Sequence, residues 1–355
     1  MRRIVWIGHY IEESDVFHFN NFNYKSEIMR KLFLKINKHF SPYVFTSFKN
    51  TAKDIEFYGI VCPLLPSAVA ALRKARQLSM MKQAIRLANS LKADQIVIAA
   101  LFASIWEDGK ELRALTRAPI TTGKNLIAAI TIDNILRANN VLKKKFSDST
   151  LGIIGYRNRI SKIFAEHYLN KAGSILVDCE DDKIEANGKV KKVSQEELFK
   201  NSDIIIVTTM GVGLAAYIDL INPGTVICDI VVPYYLTKEI RKKRNDIFAF
   251  EGVWSKYKDL SAYVGCDLNR LFPNGIMPAC AAEPIILAIE NMFGDFSLSD
   301  NIHYRNMCLM ADKRLKNGFE FFGFKKGQTV YSKQEQDLLI NLKTAKRDGD
   351  CVVKR

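Results

Sequence analysis

Short apolar segments alternate with longer amphipathic segments along most of the chain. Between residues 150 and 250, runs of four or five mostly apolar residues alternate with polar or helical stretches. This pattern is typical of parallel strands that are buried on both faces. The predicted strands of this region are 151–155, 174–177, 203–207, 225–229 and 246–250. The pattern therefore predicts a doubly wound, Rossmann-like sheet.

With the remaining segments, the sequence predicts an α/β fold of two domains, a helical C-terminal region and a C-terminal extension. Predicted strands 4–7, 58–61 and 95–100 and a helix over 68–91 indicate an N-terminal α/β substrate domain. A long helix from 124 to 145 leads into the sheet, predicted helices 285–292 and 301–317 follow it, and Ser332-Lys-Gln-Glu335 has the form of a capping box. The predicted parts are an N-terminal α/β substrate domain at 1–124, a Rossmann-like cofactor domain at 125–253, a helical C-terminal region at 254–325 and a charged C-terminal extension at 326–355.

Composition narrows the class of protein. Of the 355 residues, 48% are hydrophobic and 25% are charged, which is typical of a globular protein. No apolar run is long enough to cross a bilayer, and the apolar stretch after Met1 is too short for a signal peptide. Seven cysteines without a C-x-x-C pair predict reduced thiols, a cytoplasmic location and no metal site.

The net charge of +14 is concentrated in short basic clusters. No nucleic-acid-binding motif accompanies them, so nucleic acid is not an expected partner. Two interpretations stay open: the clusters are solvated surface, or they steer an acidic partner toward the protein. The clusters are 73–76, 143–145, 191–192 and 241–244.

A glycine turn after the first predicted strand of the sheet is the candidate cofactor site. A dinucleotide fingerprint has three glycines, and here Gly155 is followed by Asn158 and Ser161 at the later positions. Asn158 could adopt the left-handed conformation of a glycine, and Arg157 and Arg159 could contact phosphate. A Rossmann-like domain that binds no nucleotide is the alternative.

An acidic residue bears on the choice between NADH and NADPH. Asp178 ends the second predicted strand, 23 residues after Gly155, where a carboxylate bonds the ribose hydroxyls and disfavours a 2′-phosphate. This position favours NADH. Thr208 and Gly252, at later strand ends, complete the predicted cofactor-binding set.

Cys280 is the candidate catalytic residue. It lies before, or in the first turn of, the helix that follows Pro284. Backbone N–H groups at a helix start favour a thiolate, and a thiolate can attack a thioester. The alternative is a small buried hydrophobic side chain.

These residues resemble a known family. Ala279-Cys-Ala-Ala-Glu283, followed by Leu287, Glu290 and Asp295-Phe-Ser297, is similar to the A-C-F-A-E, L-x-x-E and N-F-S segments of the long-chain acyl-(acyl carrier protein) reductases of the cyanobacterial type. Further segments resemble parts of the same family over about residues 3–320. They are Ile7-Gly-His9, 100–105, Thr121-Thr-Gly123, 231–233 and Asn317-Gly-Phe319.

The resemblance implies an activity and a site. It implies that Cys280 carries an acyl group from an acyl carrier protein or acyl-CoA, and that hydride from NADPH releases an aldehyde. It also implies a substrate site with Ser104, Thr121, Thr122 and Gly123, and an aldehyde-consuming enzyme as a possible partner. The family has a turn with several glycines, where this chain has Gly155-Tyr-Arg-Asn-Arg-Ile-Ser161. The family also has an arginine near the end of the second strand, where this chain has Asp178-Cys-Glu180.

The altered turn leaves three hypotheses from the sequence. The first is the reductase, with NADPH or NADH as cofactor. The second is an acyl-transfer or acyl-carrying protein that uses Cys280 without a dinucleotide. The third is a non-catalytic subunit of a lipid-biosynthesis complex.

Overall fold

The chain forms two structural units. The structure is a computed structural model that describes residues 1–20, 26–178, 188–211, 213–265 and 272–347. The first unit comprises residues 1–126, 255–302 and 309–320. The second unit comprises residues 127–254, 303–308 and 321–355. The domain boundaries given by the sequence stay predictions.

Strands and helices alternate along the chain. The elements up to residue 141 are β1 Arg2–His9, α1 Glu13–Phe19, α2 Glu27–Asn37, β2 Tyr43–Asn50, β3 Ile55–Cys62, α3 Pro66–Ala71, α4 Lys74–Ser90, β4 Gln95–Ile98, α5 Leu101–Ile105, β5 Ile120–Thr121 and α6 Lys124–Val141. The next are β6 Thr150–Ile154, α7 Arg159–Tyr168, β7 Ser174–Val177, β8 Val190–Lys192, α8 Gln195–Asn201, β9 Ile204–Val207, β10 Val226–Asp229, α9 Tyr235–Lys243, β11 Phe248–Glu251, β12 Trp254–Tyr257 and β13 Val264–Gly265. The last are β14 Ile276–Pro278, α10 Ala279–Ile289, α11 Tyr304–Lys316, β15 Phe319–Glu320, β16 Lys325–Lys326, β17 Thr329–Val330 and α12 Lys333–Arg347.

Short 3-10 helices connect several of these elements. They are Glu107–Leu115, Phe146–Asp148, Leu214–Leu220, Lys258–Ala262, Pro273–Gly275 and Ser299–Asn301.

The first unit is built on a mixed sheet with the strand order β13-β2-β3-β1-β4-β5. Strand β1 lies inside it and pairs in parallel with both β3 and β4. Its residues Ile4, Val5 and Ile7 are fully buried, which explains why this short apolar run is a strand covered on both faces. A small sheet with the order β14-β12-β15 accompanies it.

The second unit is built on a sheet with the strand order β17-β16-β11-β10-β9-β6-β7-β8. Counted from β6, its parallel strands follow the order 3-2-1-4-5-6, the arrangement of a Rossmann sheet. The order reverses between β6 and β9, which pair in parallel with Ile154 beside Val207. A crevice forms outside the carboxyl ends of the strands at such a reversal. The predicted α/β fold class with a Rossmann-like sheet is confirmed.

The predicted helix over 68–91 is interrupted. Leu72 and Arg73 both have extended backbone (ψ 140° each), so α3 ends and α4 begins there. The buried Gln77 side chain donates to the carbonyl of Val69 at 2.7 Å and to that of Leu72 at 3.1 Å. Carbonyls at a helix end lack intrahelical partners, so this glutamine stabilises a break that periodicity alone does not reveal.

The capping box predicted at Ser332 is confirmed. The backbone N–H of Glu335 donates to Ser332 Oγ at 3.2 Å, and the N–H of Ser332 donates to Glu335 Oε2 at 2.9 Å. These reciprocal bonds satisfy two donors at the start of α12. Among the described residues, no helix is both long and apolar enough to cross a membrane.

Candidate functional site

Cys280 lies in the first turn of α10, within the first unit. The helix begins at Ala279, earlier than predicted, and contains Pro284. Proline has no N–H to donate to the carbonyl one turn before it, which belongs to Cys280. Cys280 is half-buried as a residue, while its thiol group is desolvated. The predicted catalytic residue therefore lies at a helix start, as the sequence indicated.

The acidity of the Cys280 thiol differs from the expectation. Burial raises its pKa to about 11, and the charge of Glu283 raises it further. Contacts from the Trp6 indole and from the backbone N–H groups of Cys280 and Ala281 lower the pKa by less. The helix start does favour the thiolate, but desolvation outweighs it, so the thiol is protonated near neutral pH.

Glu283 is the centre of a buried hydrogen-bond network one turn after Cys280. The carboxylate is fully buried and accepts hydrogen bonds from Thr121 Oγ1, from Ser297 Oγ at 2.9 Å and from the backbone N–H of Leu126 at 3.0 Å. Burial raises its pKa above the usual range. These bonds fix the β5–α6 turn against α10, a role that the sequence analysis did not assign to Glu283.

The Thr121-Thr-Gly123 turn packs directly on Cys280. Thr122 Oγ1 donates to the carbonyl of Ser297 at 2.6 Å. Gly123 has a φ of +76°, and a Cβ there would lie 2.4 Å from the Cα of Cys280. Only glycine fits such a position on both grounds. Of the four predicted substrate residues, Gly123 thus lies against Cys280. Thr121 and Thr122 hydrogen-bond to Glu283 and Ser297, and Ser104 is exposed on α5.

A cleft of about 1100 Å³ opens at the carboxyl ends of β6 and β7 in the second unit. Four of the predicted cofactor residues line it, as do residues that follow β8. The predicted lining residues are Gly155, Arg157, Asn158 and Asp178. The others are Tyr156, Lys192, Val193, Ser194, Gln195, Glu197 and Thr209.

The turn at the base of the cleft requires one glycine. Gly155 has a φ of +85°, and a Cβ there would lie 2.8 Å from both Thr208 Oγ1 and Thr209 Cβ. Asn158 does not replace a second left-handed glycine, because its φ is −74°. Its side-chain amide instead donates to the carbonyl of Thr208 at 2.7 Å. The predicted left-handed role of Asn158 is therefore wrong, and the residue ties the turn to β9.

Asp178 faces the turn from the end of β7. Its Oδ1 accepts hydrogen bonds from the backbone N–H groups of Gly155 at 2.6 Å and Tyr156 at 3.3 Å. Its Oδ2 accepts one from Gln195 Nε2 at 3.1 Å. A carboxylate thus stands at the second strand end, as predicted. Cys179 and Glu180, which the sequence analysis paired with it, lie outside the described residues.

The other predicted cofactor residues do not line the cleft. Thr208 is buried and donates to the carbonyls of Ile154 and Gly155 at 2.8 and 3.0 Å, and Arg159 is the first residue of α7. Gly252 follows β11, where a Cβ would lie 2.2 Å from Cys228 Sγ. Thr208 and Gly252 therefore have structural explanations in the fold, and their role toward a cofactor stays a prediction.

The sequence predicts the short helix over 195–200, which the structure confirms, but it does not place residues 192–197 at the wall of a cofactor cleft. Strand β8 has three residues, two of them lysines, so no apolar run marks it. The available signal was Ser194 followed by Glu197, since a serine three residues before an acidic residue begins many helices. The structure confirms that start, because Ser194 Oγ accepts the N–H of Glu197 at 3.1 Å.

Comparison with known proteins gives distant matches. No family model matches the chain. The chain is 22% identical over 242 residues to the aminotransferase PigE of Serratia sp. (strain ATCC 39006), a match that covers 64% of this chain and only 28% of the length of that relative.

Solved structures similar to the chain include two D-lactate dehydrogenases. The enzyme of Aquifex aeolicus, complexed with NAD and lactic acid, has 12% identity and a TM-score of 0.35, with 98% of this chain and 96% of that chain covered. The enzyme of Lactobacillus jensenii, with NAD+, has 13% identity and a TM-score of 0.34, with 93% and 100% covered.

These matches correct the family expectation. They are an aminotransferase and two D-lactate dehydrogenases, not acyl-(acyl carrier protein) reductases. The expected membership of that reductase family, and the reduction of an acyl thioester to an aldehyde that it implied, are therefore wrong. The expected partners, an acyl carrier protein or acyl-CoA and an aldehyde-consuming enzyme, stay predictions, as does the catalytic role of Cys280.

Proposed function

We propose that this protein is a nicotinamide-dependent oxidoreductase that binds NAD(H) in the cleft at the ends of β6 and β7. The observation that carries the proposal is the place of that cleft, beside the strand-order reversal of a 3-2-1-4-5-6 sheet. Ligands of open α/β sheets bind in the crevice at this reversal. The nicotinamide of the bound dinucleotide accepts or donates a hydride.

The start of α7 offers the groups that a pyrophosphate needs. The helix has ten residues, and the side chain of its first flanking residue, Asn158, does not cap it. N–H groups at a helix start point outward and favour negative charge. Arg157, which lines the cleft, adds a cation on the same turn. The single glycine, Gly155, gives the close backbone approach that a phosphate requires.

Asp178 supports NAD(H) over NADP(H). Its carboxylate lines the cleft at the strand end where the adenosine ribose binds in Rossmann sheets. Two like charges a few ångströms apart repel by roughly 1–4 kcal/mol at exposed to partly screened sites. A 2′-phosphate next to Asp178 is therefore disfavoured about tenfold or more.

Fluorescence titration with NADH and NADPH tests the proposal. The wild-type protein is expected to bind NADH more tightly than NADPH. Asp178→Asn keeps an oxygen that accepts from the turn and removes the charge, so it should shift the affinity ratio toward NADPH by about tenfold. The control is Asp148→Asn, an exposed residue at the amino end of β6, which should leave both affinities unchanged.

Two results would count against the proposal. If the wild-type protein binds neither cofactor, the oxidoreductase assignment fails. If both cofactors bind but Asp178→Asn leaves their ratio unchanged, NAD(H) selection by Asp178 is wrong.

A further inference from the structure

Helix α2 exposes a continuous apolar stripe. Four large apolar side chains on it have exposed fractions between 43% and 77%. At about 100° of rotation per residue, these positions fall within an arc of about 100° on the helix surface. The stripe consists of Ile28, Met29, Leu32 and Ile36.

The stripe is distinct from the face that α2 packs into the protein. Phe33 and Leu34 pack against a buried cluster that contains Tyr10 and Val16, and Asn37 is also buried. A surface helix of a globular protein normally has one apolar face, which is directed toward the core. Helix α2 has this face and a second apolar one that is exposed.

Lysines flank the exposed stripe. Lys31, Lys35 and Lys38 are exposed and fall within an arc of about 60° that adjoins the stripe. The acidic residue of the helix, Glu27, pairs with Lys31 at 2.8 Å, which leaves the flank positively charged. A helix with an apolar face beside a lysine-rich face is typical of segments that lie in the interface of an anionic membrane.

We infer that α2 attaches the protein to an anionic lipid surface, with the stripe among the acyl chains and the lysines at the lipid phosphates. The shape of the stripe favours lipid over a protein partner. It is a convex ridge on an 11-residue helix, only about 16 Å long. Stable protein interfaces take about 20–30 residues from each partner, whereas the stripe has four. A helix that lies in a lipid interface needs no matching groove. The net charge of +14 acts in the same direction.

Vesicle flotation of the full chain tests this inference. The vesicles are phosphatidylcholine alone and phosphatidylcholine mixed with phosphatidylglycerol. We expect the wild-type protein to float with the mixed vesicles and to be released by high salt, since the screening length falls from about 8 Å at physiological ionic strength to about 3 Å at 1 M salt. The double variant Leu32→Ser/Ile36→Ser should bind the mixed vesicles more weakly by a factor of about ten or more.

Matched variants distinguish binding by the stripe from nonspecific binding of other exposed apolar side chains to the vesicles. Leu136→Ser on α6 and Leu315→Ser on α11 remove leucines with exposed fractions of 46% and 58%, and both should float like the wild-type protein. Lys35→Glu should reduce flotation with mixed vesicles. All these positions are exposed, and circular dichroism checks that the variants fold.

Three results would overturn the inference. The first is no flotation of the wild-type protein with either vesicle. The second is equal flotation of the wild-type protein and Leu32→Ser/Ile36→Ser. The third is a wild-type oligomer, measured by light scattering, that this double variant converts to a monomer; a second copy of the chain would then cover the stripe.

Discussion

Asp229 is a carboxyl group buried at the end of β10. Burial raises its pKa from 3.8 to about 7, although hydrogen bonds from the Val231 N–H and from Thr237 lower it. The folded protein therefore binds a proton more tightly than the unfolded chain does. This stabilisation is fully present below about pH 4 and is lost as the pH rises through about 7.

The Asp229 carboxyl is predicted to make stability depend on pH. Between about pH 4 and 7 the free energy of unfolding should fall by on the order of 4 kcal/mol relative to that of Asp229→Asn. Urea unfolding of both proteins across this range measures the difference. Parallel pH profiles for the two proteins would show that Asp229 is ionised in the folded state.

Cys280 is predicted to be a slow thiol. Its pKa of about 11, against an ordinary 9.0, lowers the thiolate fraction about 100-fold near neutral pH. Alkylation by iodoacetamide, followed by peptide mass spectrometry, should be slower at Cys280 than at a free model thiol by about that factor. Its rate should continue to rise up to about pH 11. A plateau at or below about pH 8 would show that the helix start outweighs burial.

At the scale of elements, the β5–α6 turn depends on a glycine for space as well as for conformation. Gly123→Ala introduces a positive-φ strain of about 1 kcal/mol and a Cβ 2.4 Å from the backbone of α10. We expect a total loss of about 2–4 kcal/mol, measured by urea unfolding.

Gly213→Ala is the matched control for that loss. Gly213 has a φ of +89°, and a Cβ there would meet no atom within 4 Å. Only the strain of about 1 kcal/mol should therefore remain. Equal losses in the two variants would mean that α10 moves aside and that the contact with Cys280 is not rigid.

Which elements could be predicted depends on where their signal lies. The strands of the second unit are short, apolar and regularly spaced, so the sequence predicts them and their parallel arrangement. Strand β8 carries Lys191 and Lys192 and has no such signal. The break between α3 and α4 depends on the Gln77 side chain reaching back to backbone carbonyls, a contact that propensity does not encode.

Part of the candidate site could also be predicted from the sequence. The glycine turn and the carboxylate at the second strand end follow from spacing, and the structure places Gly155 and Asp178 in hydrogen-bond contact. The predicted left-handed backbone of Asn158 is wrong, because its φ is −74°. The side-chain amide of Asn158 donates to the carbonyl of Thr208 instead. The low acidity of the Cys280 thiol reflects burial, which only the folded chain determines.

Basic clusters at the scale of the whole molecule are partly structural. Arg244 pairs with Asp246 through two nitrogens, each 2.7 Å from a carboxylate oxygen, and donates to the carbonyls of Ile218 and Ile221. Lys74 pairs with Glu111 at 2.9 Å. Arg244 of the cluster 241–244 therefore stabilises the fold, a role that neither interpretation from the sequence included. The steering of an acidic partner by the exposed cations stays a prediction.

For the whole molecule, we propose that the second unit binds a nicotinamide dinucleotide at the ends of β6 and β7. Hydrogen–deuterium exchange with and without NADH tests it most directly, because a bound pyrophosphate would shield the backbone amides beneath it. We expect slower exchange in the glycine turn and the first turn of α7, residues 155–161, and in the wall at 192–195. Unchanged exchange in both segments at saturating NADH would contradict it.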